Sequence, residues 1–209
     1  MKGTSVRLPL ALSRVLVVGT ALAAVVTGPV AVASAAPAAA DAASASEGLP
    51  ALNGIVDVAA RRILVGDLVA AAKFGTGAPI DDPAREQVVL NDARNRAVQA
   101  GIDPDVTAAI FRDQIEANKV IQRGLYALWT AHPELAPTEK PDLVTVVRPL
   151  LDQITVDLIN QIKATGTTQT SSACYGRLTA AFVQVDRARH FDALHTVALV
   201  RAVPSICHQ

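Results

Sequence analysis

The chain has 209 residues, and its 19 Lys and Arg residues balance its 19 Asp and Glu residues. This formal charge of zero argues against a basic surface of the kind that binds nucleic acid or anionic lipid. The length is enough for one domain with a sizeable core, even after the leader described next is set aside.

Residues 1–35 have the pattern of a secretory signal peptide. Three basic residues precede an apolar run over 15–26, and Ala33-Ser34-Ala35 forms a small-x-small cleavage site. An uncleaved membrane anchor is the alternative, because the apolar stretch nearly reaches the roughly 20 residues of a bilayer span, but Thr27, Gly28 and Pro29 interrupt it. We therefore expect cleavage near Ala35 and export to the periplasm or the exterior.

Removal of the leader leaves 16 basic against 19 acidic residues, a formal charge of −3. Neither a nucleic-acid partner nor a membrane partner is expected for the mature chain. Residues 36–47, rich in Ala, Ser and Asp, predict a disordered lead-in. The folded domain is expected over 48–209.

The first half of the domain predicts three helices. Apolar residues recur at helical spacing over 49–74, before a Gly- and Pro-containing break. Asp82 can cap a second helix over 83–100, because Pro83 suits its first position and Gly101 its end. A third helix is expected over about 104–131, with Asp103 as its cap.

The second half predicts three more helices. The fourth runs from about 143 to 163, with its regular part starting near Arg148, because Pro149 is tolerated only in a first turn. Beyond a polar loop over 165–172, two shorter helices are expected over 173–188 and 191–203. No segment has the alternation of a strand.

The fold class is therefore all-α, a single-domain bundle of about six helices, in which a ligand would bind between facing helices. Cys174 and Cys207 are the only cysteines. In an oxidising compartment we expect them to form one disulfide, which links the start of the fifth helix to the end of the sixth. Its role is expected to be structural rather than catalytic.

A set of polar residues lies at helical spacings on otherwise apolar segments: Arg62, Lys73, Asp82, Arg85, Glu86, Asn118, Gln122 and Arg148. Eleven residues at 100° each return to within about 20° of the same direction, so Arg62 and Lys73 share a helix face about 16 Å apart. The other neighbouring members are three or four residues apart and also share faces. On spacing alone, a shared anion site and ordinary solvated charges both remain open.

These intervals resemble those of the all-helical chorismate mutases. In that family an Arg is followed after eleven residues by a Lys, after nine more by an Asp, and then by an Arg and a Glu three and four positions on. The intervals are reproduced here by Arg62, Lys73, Asp82, Arg85 and Glu86.

The third helix continues the resemblance. The family has a small hydroxyl residue there and, four positions on, a Gln or Glu; this chain has Asn118 and Gln122. Asn118 departs from the pattern. In the secreted (gamma) subclass a later Arg completes the site, and Arg148 is the matching position. The signal peptide and the pair Cys174 and Cys207 also fit that subclass.

The resemblance implies that the protein converts chorismate to prephenate, a step of aromatic amino acid biosynthesis, with no cofactor and no metal. It implies that Arg62 and Arg148 clamp the carboxylate of the enolpyruvyl group. Lys73 and Gln122 would donate hydrogen bonds to the ether oxygen. A homodimer is also expected from the family.

The resemblance implies roles for the remaining residues as well. Lys73 and Asn118 would contact the ring carboxylate. Glu86, with the backbone near Asp82, would accept a hydrogen bond from the ring hydroxyl. Arg85 would add positive potential and hold its neighbours.

Two other functions remain open at this stage. One is an isochorismate-pyruvate lyase on the same fold, although Glu86 suits the ring hydroxyl of chorismate. The other is an inactive exported helical module that binds a dianion. His190 and His195 do not indicate a metal site, because a spacing of five points them in different directions. No P-loop, dinucleotide glycine pattern or G-x-S-x-G motif is present.

Overall fold

The structure is a computed structural model that describes residues 51–208. The expected signal peptide and lead-in lie outside the described residues. Residues 51–208 form six α-helices: α1 Asn53–Lys73, α2 Pro83–Ala100, α3 Pro104–Ala131, α4 Arg148–Gln169, α5 Cys174–Arg189 and α6 Ala193–Ala202. Residues 51–208 contain no strand. The predicted all-α bundle of about six helices is confirmed.

The predicted starts of α2 and α3 are confirmed in their capping contacts. The Asp82 carboxylate accepts a hydrogen bond from the backbone N–H of Arg85 at 2.9 Å. Asp103 accepts from Asp105 and Val106 in the same way, at 2.8 and 2.9 Å. Gly101 ends α2 at φ 70°, a left-handed conformation that glycine adopts without strain.

The start of α4 also follows the prediction. A π-helical turn over Leu143–Val147 leads into it, and the Asp142 carboxylate caps this turn by accepting from the amides of Val144 and Thr145 at 2.8 and 2.7 Å. The regular helix begins at Arg148, with Pro149 in its first turn.

The predicted polar loop over 165–172 is wrong for its first five residues, because α4 continues to Gln169. The Thr165 hydroxyl donates to the carbonyl of Gln161 at 2.6 Å. The Gln169 amide donates to the carbonyl of Ile162 at 3.0 Å and to Thr165 at 2.7 Å. These buried polar side chains satisfy one another along the helix, so polarity here does not indicate a loop.

Helix α1 is the centre of the bundle and packs against α3, α4, α5 and α6. Ile55, Ala59 and Ile63 on α1 are fully buried. At Gly66, a Cβ atom would lie 2.9 Å from Asn118 Nδ2 and 3.3 Å from Ile121 Cγ2. A glycine here therefore lets α3 approach α1 closely. Helix α2 lies across α3 and α4, so helices α1 to α4 surround one interior space.

The predicted disulfide is confirmed between Cys174, the first residue of α5, and Cys207, just beyond the short 3₁₀ helix Pro204–Ile206. Both residues are buried. For a sequence separation of 33, closing the loop stabilises the fold by about 3 to 4 kcal/mol in the chain-entropy model.

No helix within residues 51–208 has both the length and the apolar character that crossing a membrane requires.

His195 joins α6 to α1 through two carboxylates. Its Nδ1 lies 2.7 Å from Asp192, the cap of α6, and its Nε2 lies 3.1 Å from Asp67 on α1. Burial alone would lower the pKa of His195, but the hydrogen bond with Asp192 and the charge of Asp67 outweigh burial and raise it. Burial raises the pKa of Asp67, in spite of the opposing effect of His195. His195 is thus a structural residue of the α1/α6 contact.

We predict that the free energy of unfolding falls as the pH rises from about 6 to about 8. Because the pKa of His195 is raised in the folded state, its protonated ring stabilises the fold fully at a pH below the pKa that His195 has in the unfolded chain. This stabilisation is lost as the pH rises through the pKa of His195 in the folded state. Urea unfolding of wild type and His195→Gln at several pH values measures this, and the decline should be smaller in the variant. His132→Gln, at an exposed position, should keep the wild-type decline. Parallel profiles for wild type and His195→Gln would contradict the assignment.

Candidate active site

Helices α1 to α4 line a cavity of about 810 Å³ that is partly open to solvent. Seven of the eight predicted site residues line it: Arg62, Lys73, Asp82, Arg85, Glu86, Asn118 and Gln122. Arg148 is exposed at the start of α4 and is not among the lining residues, although the next residue, Pro149, is. Sequence spacing could place these residues only on one face of each helix separately. The structure brings the three faces together around one cavity.

Arg62 is the most unusual residue of the cavity. It is 7% exposed, and its Nε and Nη1 atoms are buried with no hydrogen-bond partner. Burial lowers its pKa to about 10, against the opposing charge of Asp152, so the guanidinium remains protonated at neutral pH. The guanidinium carbon also lies 5.9 Å from the centre of the Phe111 ring. A buried cation with unused donors can bind an anion.

Lys73 lies at the other end of the α1 stripe, as the last residue of the helix. Its ammonium group donates a hydrogen bond to the carbonyl of Pro79, which holds the α1–α2 connection near the cavity. Burial lowers the pKa of Lys73, while the charges of Asp82 and Asp81 raise it. The position thus combines a cation with partial desolvation, which strengthens its interaction with a bound anion.

The start of α2 places a carboxylate in the cavity. Glu86 Oε1 accepts from the backbone N–H of Asp82 at 3.3 Å and lies 2.9 Å from the ammonium of Lys119 on α3. Arg85 is exposed, and its side chain reaches the cavity from the same turn. Glu86 is therefore held by contacts from both α2 and α3.

Lys119 lines the cavity but was not predicted from the sequence. Its side chain is only 10% exposed. Ile115, Lys119 and Gln122 follow at i, i+4 and i+7 on α3 and all line the cavity. This spacing is the signal that could have identified Lys119.

Asn118 and Gln122 form a pair on α3. The Gln122 amide donates to Asn118 Oδ1 at 2.8 Å. Gln122 is 4% exposed, and its Oε1 atom is buried without a partner. A carboxamide has two N–H groups, so Gln122 retains one that is not used by Asn118. The pair holds neutral donors in a fixed position on the cavity wall.

Helix α4 supplies a wall of the cavity that sequence spacing did not identify. Asp152, Gln153 and Thr155 line it from this helix. On α2, Arg96 also lines the cavity but is paired with Asp92 at 2.7 Å. These residues belong to exposed or amphipathic turns whose sequence does not distinguish a cavity wall from a solvated surface.

The lining residues indicate what the site can do chemically. Among the described residues that line the cavity, none is Ser, Cys or His. The arrangement offers cations, neutral amides and the carboxylates of Asp82, Glu86, Asp92 and Asp152, set among apolar side chains such as Val69 and Leu151. This composition suits binding of a small dianion and electrostatic stabilisation of charge within it, rather than nucleophilic catalysis.

Comparison with known proteins gives a consistent result. Residues 53–123 match the family described as chorismate mutase type II. The secreted chorismate mutase of Mycolicibacterium smegmatis is 35% identical over 153 residues, which is 73% of this chain and 84% of that protein. The secreted chorismate mutase of Mycobacterium tuberculosis is 33% identical over 162 residues, covering 78% of this chain and 81% of that one.

The fold is also similar to that of solved structures. The crystal structure of chorismate mutase from Burkholderia phymatum superimposes with a TM-score of 0.71 and 31% sequence identity. The match covers 75% of this chain and 95% of that one.

We predict that Arg62→Met raises the free energy of unfolding of the ligand-free protein by about 1 to 3 kcal/mol, because it removes a buried charge with unsatisfied donors. Urea unfolding of both proteins measures this. Arg61→Met is the matched control, since Arg61 is partly exposed and paired with Asp157 at 2.9 Å. It should change stability by at most about 1 kcal/mol, in the destabilising direction. A clear loss of stability in Arg62→Met would show that the guanidinium has a structural role instead.

Proposed function

The chain belongs to the chorismate mutase type II family and is a chorismate mutase, an isomerase that acts on chorismate, and we propose that the cavity bounded by α1 to α4 is its active site. The observation that carries this proposal is the buried guanidinium of Arg62, whose Nε and Nη1 atoms have no protein partner in a cavity shared with Lys73. A substrate with two carboxylates supplies the missing anion.

The reaction needs little from the enzyme beyond position and charge. Chorismate becomes prephenate by a pericyclic rearrangement, with no proton transfer, no covalent intermediate and no cofactor. The protein accelerates it by holding the reactive conformer and by stabilising negative charge that develops on the ether oxygen as the C–O bond breaks. A cavity lined by cations and amides, with no Ser, Cys or His among the described lining residues, fits this requirement.

Arg62 and Arg148 bind the carboxylate of the enolpyruvyl group in this proposal. Arg62 has unused donors at Nε and Nη1, and either can donate to a carboxylate oxygen. Arg148 is exposed at the first turn of α4, directly before a residue of the cavity wall, and its long side chain can turn inward over Pro149 once an anion is bound. The substrate thus completes a clamp that the free protein leaves open.

Lys73 and Gln122 donate to the ether oxygen, and Lys73 and Asn118 bind the ring carboxylate. The Lys73 ammonium exchanges its contact with the Pro79 carbonyl for the substrate. The Asn118 carbonyl is already used by Gln122, so the free group of Asn118 is its N–H₂, the polarity that a carboxylate requires. An Asn in place of the family's hydroxyl residue is compatible with the same contact.

Glu86 and the backbone near Asp82 accept a hydrogen bond from the ring hydroxyl, and Arg85 contributes positive potential at the cavity edge. The contacts of Glu86 with the Asp82 N–H and with Lys119 support this assignment, because they orient the carboxylate before substrate binds. A preoriented acceptor also favours chorismate over isomers whose hydroxyl lies elsewhere on the ring.

The direct test is to incubate the purified mature chain with chorismate and to identify the product by mass and by acid conversion to phenylpyruvate. Prephenate is the expected product. Isochorismate is tested in parallel, and release of pyruvate from it would support the lyase alternative. A folded, disulfide-bonded sample that binds chorismate without turnover would support the inactive binding module.

The chain is a secreted protein, as its named relatives support. We propose in addition that the leader is cleaved near Ala35, that the mature chain forms a homodimer, and that it has neither a nucleic-acid nor a membrane partner. N-terminal sequencing of the exported protein tests the cleavage site. Sedimentation equilibrium of the same sample tests the dimer.

Lys73→Ala should lower kcat by about 100- to 1000-fold, the range found when one donor to a developing oxyanion is removed. The contact strengthens in the transition state, so kcat should fall more than KM rises. Initial rates of chorismate loss measure both constants. Lys163→Ala, which alters an exposed lysine on α4, should retain wild-type kinetics. Near-normal kcat in Lys73→Ala would remove this mechanism.

Gln122 gives a prediction of pH dependence. An amide donates a hydrogen bond at any pH, whereas a carboxyl group must be protonated to donate. In wild type, Gln122 should therefore cause no loss of kcat/KM between about pH 5 and about pH 8. Gln122→Glu should lose activity steadily as the pH rises over that range. Identical profiles for the two proteins would count against a contact between Gln122 and the ether oxygen.

A further inference from the structure

The ammonium of Lys119 on α3 lies among three carboxylates. It is 2.9 Å from Glu86, 2.9 Å from Glu116 and 3.4 Å from Asp81. Burial alone would lower its pKa, but the hydrogen bonds with Glu86 and Glu116 raise it well above the usual value for lysine. Lys119 is therefore a permanent cation within a group of three carboxylates.

Of these three carboxylates, Glu86 is the one that lines the cavity. The second partner, Glu116, lies one turn earlier on α3 and does not line it. The third, Asp81, is held separately by Arg123, which donates to both of its oxygens at 2.7 and 2.8 Å. The contact between Lys119 and Glu86 is thus the part of this network that reaches the site.

Glu86 is an anion inside a cavity that must receive a dianion. The charged groups that face this space from outside α2 are Arg62 and Lys73 on α1, Asp82 in the connection, Lys119 on α3 and Asp152 on α4. On α2 itself, Arg85 lines the cavity and Arg96 is paired with Asp92. Only Lys119 among these cations has a recorded ion pair with Glu86 in the part of the chain that the structure describes.

We infer that Lys119 is a positioning residue for the rearrangement: it neutralises and orients Glu86, so that this carboxylate can accept from the ring hydroxyl without repelling the two carboxylates of the substrate. The inference rests on the proposed function and deepens it. Lys119 itself is occupied by its three carboxylate contacts, so it acts through Glu86 rather than on the substrate.

The consequence of removing Lys119 follows from charge alone. Lys119→Met keeps most of the side-chain volume but leaves Glu86 as an uncompensated anion beside the bound dianion. KM for chorismate should rise by about tenfold or more at about pH 8, because like charges in a partly desolvated site repel strongly. As the pH is lowered to about 5, the unpaired carboxylate takes up a proton more readily, and KM should return toward the wild-type value.

The test measures kcat and KM for chorismate between about pH 5 and about pH 8 in wild type, Lys119→Met, Lys119→Arg and the double variant Lys119→Met/Glu86→Gln. Lys119→Arg should behave as wild type, since it keeps the cation. The double variant should have a lower KM than Lys119→Met at about pH 8 and no pH-dependent recovery, because the repelling charge is gone. A purely structural role for Lys119 would produce neither the recovery at low pH nor the suppression by Glu86→Gln.

Glu116→Gln is the matched control, because it removes another partner of Lys119 that lies outside the cavity. It should leave KM within about twofold of wild type. Circular dichroism checks that each variant is folded. If Lys119→Met does not fold, Lys119→Met/Glu116→Gln is measured in its place, because the second substitution removes one of the carboxylates that would otherwise be unpaired.

The outcomes separate the inference from the function. Wild type that does not form prephenate would overturn the proposed function. If wild type is active, an unchanged KM in Lys119→Met would overturn only the role of Lys119. A raised KM in that variant that neither low pH nor Glu86→Gln relieves would have the same meaning.

Discussion

The site depends on one unfavourable interaction, the burial of the Arg62 guanidinium without a hydrogen-bond partner for two of its nitrogen atoms. Such a group destabilises the free protein, because its lost hydration is not replaced. The central helix α1 carries it into the middle of the bundle, where the packing of α3, α4, α5 and α6 holds the backbone in place. The stability of the remaining core is what allows the protein to keep this cation ready for an anion.

The other parts of the cavity follow from how the helices approach α1. Gly66 lets α3 come close enough for Asn118 to lie against α1. The capping contacts of Asp82 fix the first turn of α2, and with it Glu86. The C-terminal disulfide and the His195 contacts hold α5 and α6 on the far side of the bundle. The scaffold thus fixes the residues that must orient the substrate. Such orientation is required because no enzyme group takes part in a covalent or proton-transfer step of the reaction.

The helices and most of the site could be predicted because each depends on local chemistry. Asp82, Pro83 and Gly101 mark helix ends by rules that hold in any context, and the spacing of Arg62 and Lys73 is enough to place them on one face. Three features could not be predicted from these local rules. The extension of α4 to Gln169 depends on buried polar side chains that bond to one another. The ion pairs of Lys119 depend on carboxylates that α2 and the preceding connection bring to it. The exposed conformation of Arg148 in the ligand-free protein has no signal in helical spacing.

The most direct test of the account is a crystal structure of the protein with a stable bicyclic dicarboxylate that mimics the transition state of the rearrangement. The account predicts a substrate-like carboxylate oxygen within about 3 Å of Arg62 Nε or Nη1, and the bridging oxygen at a similar distance from Lys73 and Gln122. A ligand bound outside the cavity, or one bound inside it that leaves the Arg62 donors unused, would contradict the claim that the substrate is the partner for which this cation is buried.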